Sequence, residues 1–259
     1  MLLVLDIGNT MTDLGIFDDC SLVKTFKTKS NTERSIDEYR VLFSSFLERE
    51  AARFSFHRVI ISSVVPSLTR IWDSLCKEIF HIRPLILGPG LKTGLKLNVE
   101  NPIEVGADLV ADTIGAISLF GNNLFIADLG TANKYIYVDE NGSFGGCAIA
   151  PGLLISMNAL VRGTATLPQV SATVTKTVIG RNTNDSMNSG ILNGTVYEIM
   201  GFYESFQKEV GHPLRPVLTG GNAFYVKDLL KDFHYEEWLL LLGLREVDRR
   251  NRNIVSNLR

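Results

Sequence analysis

A nine-residue stretch occurs in two similar copies, and this repeat constrains the fold of the chain more than any other feature. Residues 2–10 read LLVLDIGNT, and residues 124–132 read LFIADLGTA. Each copy has a short apolar run followed by Asp, an apolar residue, Gly and a small residue. A buried strand that ends in Asp-x-Gly brings a carboxylate and a closely approachable backbone turn to one sheet edge. The repeat therefore predicts two similar domains that face each other across a cleft.

The residues around each Asp-x-Gly offer the groups that a nucleotide and a cation need. Backbone N–H groups beside Gly8 can approach phosphate oxygens closely. Asp6 and Asp128 offer carboxylate oxygens, which hydrated Mg²⁺ or a monovalent cation prefers. Further side-chain donors are Asn9, Thr10 and Thr131. An ordinary strand-ending turn explains either copy alone equally well, but two copies in matched context favour nucleotide binding.

Composition limits the partners and the compartment. The 259 residues are 45% hydrophobic, which is enough for one large or two medium-sized domains. The net charge of −2 gives no basic field for nucleic acid. No apolar run is long enough to span a membrane, and Asp6 interrupts the first apolar stretch, which argues against a signal peptide. Cys20, Cys76 and Cys147 are scattered, as expected of reduced thiols. We expect a cytoplasmic protein without nucleic-acid or membrane partners.

The predicted secondary structure extends the repeat from a motif to an architecture. In the first half, the patterns predict strands over 2–6, 13–17, 22–27, 58–63 and 84–87, and helices over 35–51 and from residue 66. In the second half, they predict strands over 124–128, 134–138, 145–150 and 216–219, and helices over 152–161, 185–210, 222–231 and 236–250. Both halves open with three strands, so we expect a duplicated α/β fold. The expected domains are 1–113 and 114–259, joined by a helix near 106–120.

These duplicated βββαβα halves resemble the actin, hexokinase and Hsp70 superfamily, whose ATP-binding domains are ribonuclease H-like. An ordered set of blocks narrows the resemblance to type III pantothenate kinases. The blocks are DIGNT (6–10), SSVVPSLT (62–69), NPIEVGAD (101–108), DLGTA (128–132), GGCAIAPGL (145–153), RGTATLPQV (162–170), IGRNTNDSMNSGILNG (179–194) and LTGGNA (218–223). The resemblance implies ATP-dependent phosphorylation of pantothenate to 4'-phosphopantothenate, which opens coenzyme A biosynthesis. It also implies Mg²⁺, a monovalent cation (K⁺ or NH₄⁺) and a homodimer.

The resemblance implies roles for individual residues. The nucleotide would contact Asp6, Ile7, Gly8, Asn9, Thr10, Thr131, Gly220 and Gly221. Pantothenate would contact Val99, Gly106, Ala107, Asp108, Leu109 and Thr183, of which Thr183 would come, with Arg162, from the neighbouring subunit. Asp108 would be the base that accepts the hydroxyl proton, although a helix N-cap is an alternative role for this Asp. Asp128 would bind the monovalent cation, and Asp6 would bind Mg²⁺.

Several positions at this expected site depart from the family pattern. Leu109 stands where the family has Arg, Asp112 where it has Asn, and Val99 where it has Tyr. Asn133 and Lys134 replace a pair of threonines. An Arg binds a carboxylate such as that of pantothenate bidentately, and Leu cannot. The departures leave three functions open: a divergent pantothenate kinase, a non-catalytic nucleotide-binding regulatory or accessory factor, and a kinase for another small alcohol. The retained Asp residues favour the first, whereas Leu109 and Val99 favour the second.

Lys134 adds a positive charge near the expected cation site. It follows Asp128 by six residues, so the period of a strand predicts that both side chains lie on the same face. An ammonium group there would replace part of the function of bound K⁺. Alternatives are that Lys134 binds the pantothenate carboxylate in place of the missing Arg, that it pairs with Asp112, or that it points toward solvent. A second open alternative concerns the apolar helix Met187–Phe206, which is either a dimer face or ordinary core.

Overall fold

The structure is a computed structural model that describes residues 1–19, 21–50 and 55–252, with the side chains of 47–50 left aside. The chain forms two compact units. The first comprises Met1–Gly94, Ile103–Gly115 and the C-terminal segment from Leu240, and the second comprises Leu95–Pro102 and Ala116–Leu239. The division thus falls within the helix expected near 106–120, and the last helix belongs to the first unit.

A five-stranded sheet forms the centre of the first unit. Its strands are β1 (Leu2–Ile7), β2 (Met11–Phe17), β3 (Leu22–Lys29), β4 (Arg58–Ser63) and β5 (Leu85–Ile86), in the order β3-β2-β1-β4-β5. The central strand β1 is antiparallel to β2 and parallel to β4. Every residue of β1 is buried except Asp6, which is half-buried near the strand end. An apolar strand therefore carries one carboxylate to the sheet edge, as the sequence predicts.

Helices α1 (Ile36–Glu50) and α2 (Pro66–Phe80) contribute the core that covers this sheet. Proline is well tolerated at the start of α2, because the first turn leaves backbone N–H groups unpaired in any case. Phe43 of α1 and Trp72 of α2 pack edge to face, with ring centroids 5.1 Å apart. Such a pair contributes about 0.5–1.5 kcal/mol to stability beyond the contribution from burial of the rings. The predicted helix end at residue 51 lies outside the described residues.

The second unit repeats the sheet of the first. Its strands are β6 (Leu124–Leu129), β7 (Ala132–Val138), β8 (Phe144–Pro151), β9 (Arg215–Thr219) and β10 (His234–Tyr235), in the order β10-β9-β6-β7-β8. β6 is antiparallel to β7 and parallel to β9, as β1 is to β2 and β4. Both Asp-x-Gly glycines donate a hydrogen bond across the turn, but the turns differ in length: Gly8 N–H donates to Met11 O (2.9 Å), and Gly130 N–H donates to Ala132 O (3.2 Å). The predicted duplicated α/β fold is confirmed.

The remaining helices are α3 (Ala107–Phe120), α4 (Leu153–Arg162), α5 (Thr183–Asn188), α6 (Gly194–Val210) and α7 (Leu239–Arg250). A π-helical turn, Ser189–Asn193, joins α5 to α6 where the sequence predicts one uninterrupted helix. Ile199 is fully buried, and Phe202 and Phe206 pack against the core of the second unit. Of the two alternatives for Met187–Phe206, the apolar side of this segment is therefore core.

Two predictions for the C-terminal part of the chain are wrong. The segment 222–231 forms two short 3₁₀ turns, Ala223–Tyr225 and Lys227–Leu229, in place of a helix. The final helix begins at Leu239, three residues later than predicted, because the Glu236 side chain accepts the backbone N–H of Trp238 in a turn. β10 was not predicted, since two residues show no periodicity.

Two further features bear on the expectations from composition. Cys76 is buried, and this burial raises the pKa of its thiol to about 12. Cys147 is exposed, and Cys20 lies outside the described residues. Within the described ranges, no helix has the length and apolar character required to cross a membrane.

Candidate functional site

The end of β1 gathers polar side chains in the first unit. Asp6 is in register with Asp13 on β2 and with Ser62 on β4. Residues in register on neighbouring strands project to the same face, so two carboxylates and a hydroxyl share one side of the sheet. Lys27 Nζ lies 3.6 Å from Asp13 Oδ1 and offsets part of this negative charge. The buried Ser62 Oγ has no hydrogen-bond partner among the described residues.

Sequence reasoning missed Asp13. The second strand was predicted to begin at this residue, but the position of Asp13 beside Asp6 depends on the length of the β1–β2 turn. A tight turn at Gly8 is the sequence signal from which this register could have been counted. Asp13 therefore joins Asp6 as a candidate ligand of a hard cation.

The turn after β1 is suited to close approach by a ligand. A Cβ atom on Gly8 would lie 3.1 Å from the Met11 carbonyl oxygen, which is tighter than usual contact. The Ile7 carbonyl accepts the N–H of Val64 at 3.1 Å, which ties the turn after β4 to the end of β1. The exposed residues of the turn are Asn9 and Thr10. Backbone and side-chain donors thus lie on a fixed strand end.

Asp108 is the second residue of α3, and its side chain folds back over the helix start. Its Oδ1 accepts the backbone N–H of Leu109 at 2.9 Å. A Cβ atom on Gly106 would lie 2.4 Å from that same oxygen, so this orientation requires glycine at position 106. A carboxylate in the first turn interacts favourably with the helix dipole. Asp108 lies inside the helix, so the alternative N-cap role is wrong.

The other residues expected to contact substrate differ in exposure. Leu109 is only 7% exposed, and Asp112, one turn later, is 2% exposed. Val99 is half-buried in the second unit, where the neighbouring Asn98 donates its N–H to the Phe144 carbonyl at 2.8 Å. Ala107 is half-buried at the first position of α3, whereas Thr183 and Arg162 are exposed at the start of α5 and the end of α4.

The end of β6 is the corresponding place in the second unit. Asp128 is in register with Lys134 on β7 and with Thr219 on β9. Lys134 Nζ lies 2.5 Å from Asp128 Oδ2, and the two side chains are 15% and 10% exposed. The prediction that both side chains share a face is confirmed, and an orientation of Lys134 toward solvent is excluded.

Glycine and asparagine connect the ends of β6 and β9. Gly220 has φ +92°, and a Cβ atom there would lie 2.4 Å from Asp128 Oδ1 and 2.5 Å from the Leu129 nitrogen. The side-chain amide of Asn222 donates to the Gly130 carbonyl at 2.7 Å, and its backbone N–H donates to the Leu129 carbonyl at 2.8 Å. Asn222 was not singled out from the sequence, although it lies in the LTGGNA block. The exposed residues beside these strand ends are Thr131 and Gly221.

Asn133 and Lys134 project to opposite faces of β7, as strand geometry requires. Asn133 is buried, and its amide donates to Glu198 Oε1 at 3.3 Å. The Tyr135 hydroxyl donates to the same oxygen at 2.5 Å, and burial raises the pKa of this phenol far above its ordinary range. Asn133 thus belongs to the core of the second unit, whereas Lys134 belongs to the strand end that carries Asp128.

A family model for type III pantothenate kinase matches residues 2–205. The chain belongs to the type III pantothenate kinase family. Membership in this kinase family supports ATP binding by the chain. The match covers both Asp-x-Gly strand ends and Asp108, but it stops before Gly220.

Solved structures with the same fold extend over nearly the whole chain. A protein described as a Baf family transcriptional activator from Campylobacter jejuni has a TM-score of 0.60 at 18% identity, covering 97% of this chain and 99% of that one. A protein described as a 2-dehydro-3-deoxygalactonokinase from Sinorhizobium meliloti has a TM-score of 0.59 at 12% identity, covering 98% and 99%. The activator of 2-hydroxyisocaproyl-CoA dehydratase from Clostridium difficile has a TM-score of 0.52 at 14% identity, covering 98% and 97%. These similarities show the two-domain actin-like ATPase and sugar kinase fold.

The two strand ends differ in their fitness for the cations that the pantothenate kinase family implies. At the end of β1, Asp6 and Asp13 share a face, and Mg²⁺ is commonly held by one or two carboxylates together with substrate phosphates. These residues fit Mg²⁺. At the end of β6, Oδ2 of Asp128 is paired with the Lys134 ammonium, and Oδ1 is packed against Gly220. These residues do not fit a monovalent cation.

Proposed function

We propose that this protein transfers the γ-phosphoryl group of ATP to the hydroxyl group of pantothenate and so forms 4'-phosphopantothenate, the first step of coenzyme A biosynthesis. The observation that carries the proposal is the carboxylate of Asp108 at the start of α3, in a block that resembles the family's. The Leu109 N–H donates to this carboxylate, and the missing side chain of Gly106 leaves room for it. Phosphoryl transfer requires positioning, charge neutralisation and a group that receives the hydroxyl proton. This chain supplies a candidate for each requirement.

In this mechanism, the hydroxyl oxygen attacks the γ-phosphorus as its proton passes to Asp108. The new oxygen–phosphorus bond forms, the bond from the γ-phosphorus to the β–γ bridging oxygen breaks, and ADP leaves. The turn from Asp6 to Thr10 presents backbone and side-chain donors to the phosphates. Bound Mg²⁺ supplies charge neutralisation, and Asp6 and Asp13 would hold it. Thr131, Gly220 and Gly221 are the proposed nucleotide contacts from the second unit.

The proposed pantothenate contacts are Val99, Gly106, Ala107, Leu109 and Thr183, together with Asp108. The buried Leu109 supplies only apolar contact, so it cannot neutralise the carboxylate of pantothenate as Arg would. This observation favours a second candidate function, in which the protein binds nucleotide without turnover and acts as a regulatory or accessory factor. The two candidates differ in whether ADP forms when pantothenate is present, since the second forms no ADP in any mixture.

The discriminating experiment measures ADP release from ATP and Mg²⁺ with no acceptor, with pantothenate, and with the analogue whose carboxylate is reduced to an alcohol. We expect ADP release that depends on pantothenate. Nucleotide binding without ADP release in any mixture would establish the second candidate instead. Because Leu109 cannot bind the carboxylate bidentately, we expect the alcohol analogue to be phosphorylated at a rate within about tenfold of pantothenate.

We further propose a homodimer, in which Thr183 and Arg162 complete the pantothenate site of the partner subunit. Several large apolar side chains of the second unit are exposed on β8, on α4 and in the segment before α5. They include Ile149 (66% exposed), Ile155 (45%) and Ile179 (80%). Apolar surface of this kind is typical of a protein–protein interface.

Light scattering at micromolar concentration should therefore give twice the chain mass of 28.7 kDa. Ile155→Glu should shift the protein toward monomer, because it places a charge on the exposed side of α4. Val41→Glu is the matched control, since Val41 is also exposed on a helix but lies in the first unit. A wild-type monomer, or equal dissociation by both variants, would refute this assignment of the interface.

A further inference from the structure

We propose that the ammonium group of Lys134 takes the place of the monovalent cation, so that this protein needs neither K⁺ nor NH₄⁺. The part of this inference that concerns turnover rests on the proposed kinase function. The part that places the Lys134 ammonium beside Asp128 rests on the described residues alone. It follows from the disagreement between the residues around Asp128 and the cation that the family implies.

The Lys134 ammonium is fixed where a cation would bind. Its Nζ lies 2.5 Å from Asp128 Oδ2, within contact distance of the carboxylate oxygen that a bound cation would use. The β6–β7 ladder places the two residues directly opposite each other, so the pair does not depend on a flexible loop. Both side chains are largely withdrawn from water, which makes the pair less sensitive to screening by salt.

The remaining carboxylate oxygen leaves little space for a second cation. Oδ1 of Asp128 lies so close to Gly220 that a single additional carbon there would approach it to 2.4 Å. A monovalent cation must exchange its hydration shell for several protein oxygens. With one oxygen paired to an ammonium and the other against the backbone, Asp128 is badly placed to contribute a ligand to such a shell.

The local charge is the same with Lys134 as with a bound cation. Asp128 contributes −1, and either K⁺ or the Lys134 ammonium contributes +1, so both arrangements sum to zero. An ammonium also carries three N–H donors and binds phosphate as a point charge. Lys134 can therefore supply both functions expected of the cation, which are to neutralise Asp128 and to present positive charge to a nucleotide phosphate.

The duplicated fold provides an internal comparison. The residue in register with Asp6 in the first unit is Asp13, and the residue in register with Asp128 in the second is Lys134. The residue paired with the Asp of the central strand is thus a second carboxylate in one unit and an ammonium in the other. In the first unit, Asp6, Asp13 and the neighbouring Lys27 sum to a charge of −1, which can attract a metal ion. In the second unit, Asp128 and Lys134 sum to zero.

The first arm of the test is thermal unfolding in potassium chloride and in choline chloride at equal ionic strength. We expect the wild-type Tm to be the same in both salts. Lys134→Thr should lower the Tm in choline by about 5–10 °C, because it leaves a buried carboxylate unpaired. Potassium should restore at least half of that loss, since the smaller side chain opens the site to a cation. Lys77→Thr is the control, because Lys77 forms an exposed pair with Asp73 at the same distance of 2.5 Å.

The second arm is calorimetric titration with ATP and Mg²⁺ in the same two salts. We expect the wild-type Kd to agree within about twofold, and the Lys134→Thr Kd to rise about tenfold in choline and recover in potassium. A wild type whose Tm or Kd improves markedly with potassium would overturn the inference, as would a Lys134→Thr variant that ignores potassium. If that variant does not fold, the wild-type comparison decides. Absence of nucleotide binding in either salt would refute the proposed function, and the Tm arm would still decide the role of Lys134.

Discussion

Asp108→Asn should reduce the rate of pantothenate phosphorylation by about 10²–10⁴-fold, which is the usual loss on removal of a general base. The amide keeps the shape of the side chain but cannot accept the hydroxyl proton. ATP binding should stay within about twofold of wild type, because the variant changes no proposed nucleotide contact. The effect should appear in kcat, measured at saturating pantothenate, because the interaction is gained as the proton moves.

Asp112→Asn is the matched control for this variant. It makes the same chemical change one helical turn later in α3 and introduces the residue that the family has at this position. Asp112 is buried and is not a proposed substrate contact, so we expect activity within about threefold of wild type. Asp108→Asn activity within a few-fold of wild type, or an equal loss in both variants, would refute the role of Asp108 as the base.

Gly243→Ala should lower the free energy of unfolding by about 3 kcal/mol, at the upper end of the cost of overpacking. A Cβ atom at position 243 would lie 1.9 Å from the Ala111 carbonyl oxygen and 3.0 Å from the Gly115 nitrogen. Helices α7 and α3 therefore meet backbone to backbone at this point. Since backbone atoms cannot rotate away as a side chain can, the helices must separate, and α3 also carries Asp108.

Urea or thermal unfolding measures this effect, and Gly201→Ala provides the control. Gly201 lies within α6, and a Cβ atom there would contact nothing within 4 Å. That substitution should stabilise the protein by about 0.5–1 kcal/mol, because Ala is the better helix former. The paired variants should thus shift the unfolding midpoint in opposite directions. A neutral Gly243→Ala would contradict the close approach of α3 and α7.

The sequence predicted features that depend on local patterns. The strands that end at Asp6 and Asp128 follow from apolar runs bounded by Asp-x-Gly, and the duplicated sheets follow from the order of short strands. The position of Lys134 also follows from a local rule, because six residues along a strand return to the same face. These features need no knowledge of which distant elements pack together.

Features that depend on distant contacts were not available from the sequence. The side chain of Asn222 donates to the Gly130 carbonyl, 92 positions away in the chain, and no local pattern predicts such a contact. The return of α7 to the first unit depends on Gly243 meeting Ala111, which is likewise a matter of tertiary packing. The burial of Leu109 has the same origin, since the identity of the residue does not reveal which side of α3 is covered.

Identification of the reaction product tests most directly whether this divergent site transfers a phosphoryl group to pantothenate. The purified protein is incubated with ATP, Mg²⁺ and pantothenate, and the mixture is analysed by mass spectrometry and ³¹P NMR. We expect 4'-phosphopantothenate in amounts equal to the ADP formed. Unchanged pantothenate under conditions where the protein demonstrably binds ATP would contradict this expectation.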